Sequence, residues 1–271
     1  MPDSNQDPQR PGDQDNITGT GTGTGPGTRR GFEGLKVYAL EHKIDIALWA
    51  TRALTLLFCF SYILPIFGSA SSSYQKALMS NAASSALRLH QRIPSIQFTR
   101  ESFVTLIMED SAHYLFYSII FMYSAPITMV LVPIFLFALL HFASFTLRLL
   151  DILGRNNALL SRFLISLVEF QQRNMLRGAA FVEIFLMPLA VVSVFMGRVS
   201  LLTPVLYYRF LSMRYSSRRN AYTRTMFYEL RMSATYAVDR PGVPQFIRSF
   251  VHKIITFTSS LAPPIVPSQN Q

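Results

Sequence analysis

The sequence predicts an all-α, polytopic membrane protein with about four membrane-embedded helices, two of them able to pair as a hairpin, followed by amphipathic C-terminal helices. Three observations carry that prediction. Half of the 271 residues are hydrophobic and only 15% are charged, whereas soluble domains carry roughly 25% charge. The apolar residues gather into runs long enough to cross a hydrocarbon core of about 30 Å. The final quarter is different in kind, basic and patterned rather than continuously apolar. Cys59 is the single cysteine, which excludes a disulfide framework and any CxxC zinc or redox site. The net charge of +10 directs the chain toward phosphate, on nucleic acid or on lipid.

Three regions follow in order. Residues 1–40 are expected to be a disordered N-terminal tail, because Pro, Gly, Asp, Gln and Thr supply too little apolar surface to offset the entropy of ordering. No charged start with an apolar stretch behind it marks a signal peptide there. Asn16-Ile17-Thr18 matches a glycosylation acceptor, relevant only if the tail is lumenal. Residues 41–206 form the membrane-embedded domain, and 207–271 a basic cytosolic tail.

Within the embedded domain, 46–68 is the first apolar run, with Arg52 near enough to its start to snorkel. Residues 74–89 are mildly amphipathic, and a helix on the surface or under the spans is expected before Pro94 stops it. Residues 103–147 are apolar almost throughout, and Ser124-Ala125-Pro126 predicts a turn between two arms. Such a hairpin either crosses fully or wedges into one leaflet. Residues 148–178 form a polar connector with its turn at 154–157, and a helical segment is expected over 159–176. The last run, 179–196, contains Pro188, which membrane helices tolerate.

Beyond 206, nine Arg or Lys stand against Glu229 and Asp239, so the tail is expected to be cytosolic. Charge leaves the rest of the topology open. Four full crossings would put the basic stretches 69–102 and 148–178 on the lumenal side, against the positive-inside tendency, and a leaflet-inserted hairpin would keep both on one side.

Three groups of residues are candidate sites. Phe246, Ile247, Phe250, Val251, Ile254, Ile255 and Leu261 recur at steps of three and four, with Arg248 and Lys253 flanking them. On a helix this is an apolar stripe edged with positive charge, the pattern of an interfacial helix whose apolar side chains enter the acyl boundary. Each basic residue near an anionic surface adds about 1 kcal/mol. Packing onto the protein's own spans is the plain alternative. The second group is a basic patch, Arg209, Arg214, Arg218, Arg219 and Arg224, suited to lipid phosphate, an acidic partner or an import factor, or serving only to fix topology. Direct nucleic-acid binding is not expected, since no recognition motif accompanies the patch. The third is an intramembrane polar cluster: Arg52, Glu109, Asp110, His113, His141 and Glu183. Ionisable residues within spans suggest an ion or proton path, or hydrogen bonding that fixes helix packing.

No enzyme, metal or cofactor signature is present: the five histidines make no HExxH, and there is no GxSxG or phosphate-binding glycine loop. A non-enzymatic protein without cofactor or metal is expected.

Several stretches together carry a resemblance: Ser84-Ser85-Ala86-Leu87-Arg88-Leu89-His90-Gln91-Arg92, Met108-Glu109-Asp110-Ser111-Ala112-His113-Tyr114, Glu183-Ile184-Phe185-Leu186-Met187-Pro188 and Tyr207-Tyr208-Arg209-Phe210-Leu211 through Asn220. In these the chain resembles the transmembrane protein 33 family, in order over about residues 40–265. The resemblance implies a multi-pass protein of the endoplasmic reticulum and nuclear envelope, linked to tubule organisation, to reticulon-type proteins and to nuclear pore distribution. It also implies membrane binding by a C-terminal amphipathic helix, and it brings no catalytic residues. Two functions are therefore expected to compete: membrane shaping by an inserted hairpin and amphipathic helix on a bilayer rich in anionic lipid, and a channel or transporter component or regulator built on Glu109, Asp110 and His113.

Overall fold

The computed structural model describes residues 31–64, 68–93, 106, 109–154, 159–169, 171–217 and 221–261. Its helices are α1 Phe32–Glu41, α2 Lys43–Ile63, α3 Ala70–Arg92, α4 Asp110–Met122, α5 Thr128–Ile152, α6 Leu159–Glu169, α7 Gln172–Phe195, α8 Leu202–Ser216, α9 Ala221–Val238 and α10 Gln245–Ser260. The all-α expectation holds, and α2, α5 and α7 are each long and apolar enough to cross a membrane. Pro133 and Pro188 lie inside α5 and α7, where neighbouring helices can re-satisfy the freed carbonyls.

Six helices form three antiparallel hairpins, α2/α3, α4/α5 and α7/α8, whose tips meet at one end. The Ala125 N–H donates to the Arg198 carbonyl (3.1 Å), joining the second tip to the third. The Tyr74 hydroxyl meets that of Ser124 at 3.5 Å, joining the first to the second. The opposite end, called the base, holds the starts of α2, α4 and α7 and the ends of α3, α5 and α8.

The first hairpin is closed by a polar ladder. Ser61 pairs with Ser73 (3.0 Å), Thr55 with Ser80 (3.0 Å), Thr51 with Ser84 (2.9 Å), and at the base Gln91 donates to Asp45 (2.9 Å). Lipid tails are as apolar as leucine, so close packing of small residues and interhelical hydrogen bonds hold such helices together. This overturns the expectation of a surface helix over 74–89. Tyr74, Ala77 and Leu78 of α3 are fully buried, and the serines that lowered its hydropathy are its packing face.

The predicted turn at Ser124-Ala125-Pro126 is present between α4 and α5. The arms are unequal: α4 has 13 residues against 25 in α5, so α4 reaches about 20 Å and falls short of a full crossing. Tyr117, Phe121, Tyr207 and Phe210 cluster, mostly edge-on or tilted, where α4 meets α8. The buried hydroxyls bond to backbone, Tyr117 to Val130 O (2.9 Å) and Tyr207 to Glu183 O (2.7 Å). The packed helical body therefore continues past residue 206 to the end of α8.

The N-terminal tail expected to run through residue 40 also ends earlier. Helix begins at Phe32, the Gly31 N–H donates to Ile152 O at the base (3.1 Å), and Tyr38 packs on Phe145. The first 30 residues, with Asn16, lie outside the described residues.

Candidate functional site

The six polar residues grouped by sequence separate into three neighbourhoods. Glu183 is fully buried near the middle of α7. Arg214 of α8, 2% exposed, reaches it with Nε to Oε2 at 3.2 Å and Nη2 to Oε1 at 3.4 Å. The Tyr114 hydroxyl donates to the same carboxylate. Arg214 also contacts Asp110 at 3.3 Å, and its guanidinium lies over the Tyr114 ring, 5.1 Å from the centroid. Asp110 further accepts from the Ser217 hydroxyl (3.2 Å), and His113 Nδ1 lies 3.7 Å away.

The second neighbourhood is Glu109 with Arg92, 2.8 Å apart. The third holds Arg52 and His141, both half-buried, with Asp45 and Arg88 among the charges acting on Arg52. Glu109 and Asp110 do not lie within a span as expected. α4 begins at Asp110 with Glu109 as its N-cap, so both carboxylates sit at a helix N-terminus, where unsatisfied N–H groups favour negative charge. Among the described residues no set of His, Cys, Asp or Glu stands together as metal donors.

The basic patch also divides. Arg214 is interior and paired, Arg209 is exposed, Arg224 is half-buried, and Arg218 and Arg219 lie outside the described residues. Tyr114 and Tyr207 were not singled out by sequence reasoning, because a tyrosine in an apolar run gives no sign that its hydroxyl meets a carboxylate or carbonyl on another helix.

The C-terminal stripe forms as a helix with its apolar side uncovered. Phe246 is 73% exposed and Phe250 64%. Ile247, Ile254 and Leu261 are exposed with them, whereas Val251 and Ile255 turn partly toward the protein. Phe257 belongs to the exposed arc and was missed, although it follows Phe250 by seven residues and its spacing was readable. The polar side is anchored: Arg248 Nε donates to Val238 O (3.2 Å), His252 meets Asp239 (3.2 Å), and the Tyr208 hydroxyl donates to Leu261 O (2.9 Å). Along this polar side Arg248, Ser249, His252, Lys253 and Thr256 line an open surface of α10. The helix is thus held by one face and presents the other.

With this geometry in place, the comparisons with known proteins decide the family. The description Transmembrane protein 33/Nucleoporin POM33 matches residues 27–264. The chain belongs to that family. Krueppel homolog 2 of Drosophila melanogaster is 48% identical over 232 residues, 85% of this chain and 83% of that one. Transmembrane protein 33 of Homo sapiens is 44% identical over 234 residues, 86% and 95% of the two chains. The Caenorhabditis elegans homolog is 37% identical over 238 residues, 87% and 88%. No solved structure matches. In this member of the family, the match reaches from just before α1 to just beyond α10, so the anchored helix and the Arg214 network both fall within it.

Proposed function

We propose that this protein is a non-enzymatic organiser of endoplasmic reticulum tubules and of nuclear envelope and pore distribution, acting by inserting its hairpins and C-terminal helix into the membrane. The observation that carries this reading is the outward apolar arc of α10, fixed to α9 by Arg248 and His252. A helix restrained by its polar face adds area to one leaflet, and added area in one leaflet favours curvature. The base is the cytosolic side in this reading. Lys43, Arg92 and Arg173 lie in its first or last helical turns and Arg148 and Arg177 a turn further in, against Arg198 at the tips, a balance in line with the positive-inside tendency, and the three-hairpin topology brings the helix ends that flank the connectors to that one side. Lys253, exposed beside the arc, would meet anionic lipid phosphate. Reticulon-type or nuclear pore proteins are the partners that the family resemblance suggests.

The test uses full-length protein reconstituted in giant vesicles from which narrow tubes are pulled. Wild type is expected to enrich on the tube over the flat membrane, and the double variant Phe250→Asp, Ile254→Asp to lose much of that enrichment. Equal density on tube and vesicle for wild type would remove the reading. A glycosylation assay in microsomes checks the orientation separately: Asn16 is expected to stay unmodified.

A further inference from the structure

We propose that α6, the short helix in the connector between the second and third hairpins, is a second interfacial membrane anchor seated in the leaflet at the base. Nine of the eleven residues of α6 fall on three arcs, and the other two are Leu167, partly buried against α5, within the apolar arc, and Ile165, 37% exposed, between the buried and the polar arcs. Taking 100° per residue, Ser161, Leu164 and Val168 share one arc and are buried. Leu164 and Val168 pack with Ala143, Leu147 and Leu150 on the last turns of α5. Arg162, Ser166 and Glu169 share a second arc, exposed and wholly polar. Leu159, Leu160 and Phe163 share the third, with Leu159 84% exposed and Phe163 64%.

A helix on a water-washed connector needs only a protein side and a polar side. A helix buried among spans has no polar side. Three separate arcs match a boundary at which protein, lipid and water meet, which is the position of an interfacial helix held against a spanning one.

The depth of α6 identifies the occupant of the apolar arc. Ala143 lies nine residues before the end of α5, about 14 Å along that helix. α5 is one of the helices able to cross the membrane, so α6 folds back beside a segment at the depth of the headgroups and outer acyl chains. Exposed apolar side chains also mark the spanning helices α2 and α7, at Leu54, Leu57, Phe181 and Phe185. The acyl boundary of the bilayer covers this arc. The assignment rests on the reading of the body as membrane-embedded and is independent of what α10 does.

The test is depth measurement by spin label on the full-length protein in liposomes, with and without anionic lipid. Cys59 is buried, so labels report the introduced positions Leu160→Cys, Phe163→Cys, Arg162→Cys and Ser166→Cys, with Leu57→Cys and Phe250→Cys as references. At 160 and 163 oxygen is expected to relax the label more than an aqueous nickel chelate does, and at 162 and 166 the order inverts. Nickel access at 163 equal to that at 166 would overturn the proposal. A label at 163 shielded from both reagents would also overturn it, since another protein surface would then cover the arc. Lipid exposure at 57 and 163 with water exposure at 250 would leave the inference standing and remove the wedge reading of α10. Water exposure at 163 with lipid exposure at 250 would do the reverse.

Discussion

Helices α3 and α10 look alike in sequence, each with an apolar stripe beside Arg, Lys and Ser, and both read as helices outside the spans. In the fold they are opposites. α3 buries Tyr74, Ala77 and Leu78 and zips its serines to α2, whereas no residue of α10 is buried. Side-chain size accounts for the difference. The buried face of α3 is mostly small or hydroxyl-bearing, with Ser73, Ala77, Ser80, Ser84 and Ser85 beside Leu78 and Leu89, so a neighbouring backbone can approach and pair with it. The stripe of α10 is Phe246, Phe250, Ile254 and Phe257, too bulky for such close approach. An amphipathic pattern therefore states that a face is needed, and the size and chemistry of that face state whether protein or lipid supplies it.

The contrast can be broken from either side, and the largest effect is expected where the pinned body is held by charge. Arg214→Met leaves Glu183 buried without its cation and should cost about 3–5 kcal/mol, read as a lowered midpoint of thermal unfolding in detergent. Adding Glu183→Gln to that variant should restore much of the loss, because Tyr114 can still donate to the amide oxygen. A double variant no more stable than Arg214→Met would show that the ion pair is not what holds α7 to α8.

Next in size is Leu78→Ala in α3, expected to cost about 2–5 kcal/mol by opening a cavity in a fully buried position. A neutral result by the same unfolding measurement would return α3 to the surface. Removing one rung of the ladder by Ser80→Ala should be smaller, about 0.6 kcal/mol, the average found for interhelical hydrogen bonds in membranes. Two rungs removed together test whether the ladder acts as a unit, through a loss larger than the sum. The smallest stability change belongs to α10. Phe250→Asp with Ile254→Asp should stay within about 0.5 kcal/mol of wild type, as exposed substitutions do, while curvature enrichment falls. A large loss of stability would show that α10 is structural packing after all.

The carboxylates show how local chemistry and tertiary placement divide the information. Glu109, Asp110 and Glu183 are equally conspicuous within apolar stretches, and sequence spacing joins the first two with His113. Only the start of α4 at Asp110 places the first two at a helix N-terminus, Glu109 paired with Arg92 and Asp110 with Arg214, and leaves Glu183 as the fully buried one. Arg214 is the converse case, since its neighbours in sequence are basic and its partners lie 31 and 104 residues away.

By itself the sequence determined that this is a helical membrane protein, where its apolar runs lie, that a turn falls at 124–126, and that the C-terminal stripe forms one helix. Those properties are local: hydropathy, proline and turn chemistry, and a period of 3.6 residues act within a few turns. Tertiary structure alone decided that α3 lies inside the bundle, that the body runs to the end of α8, that Arg214 neutralises Glu183, and which arcs of α6 and α10 stay uncovered. Each of these depends on which helix stands beside which, and in a membrane that is settled by close packing and polar pairing between segments far apart in the chain.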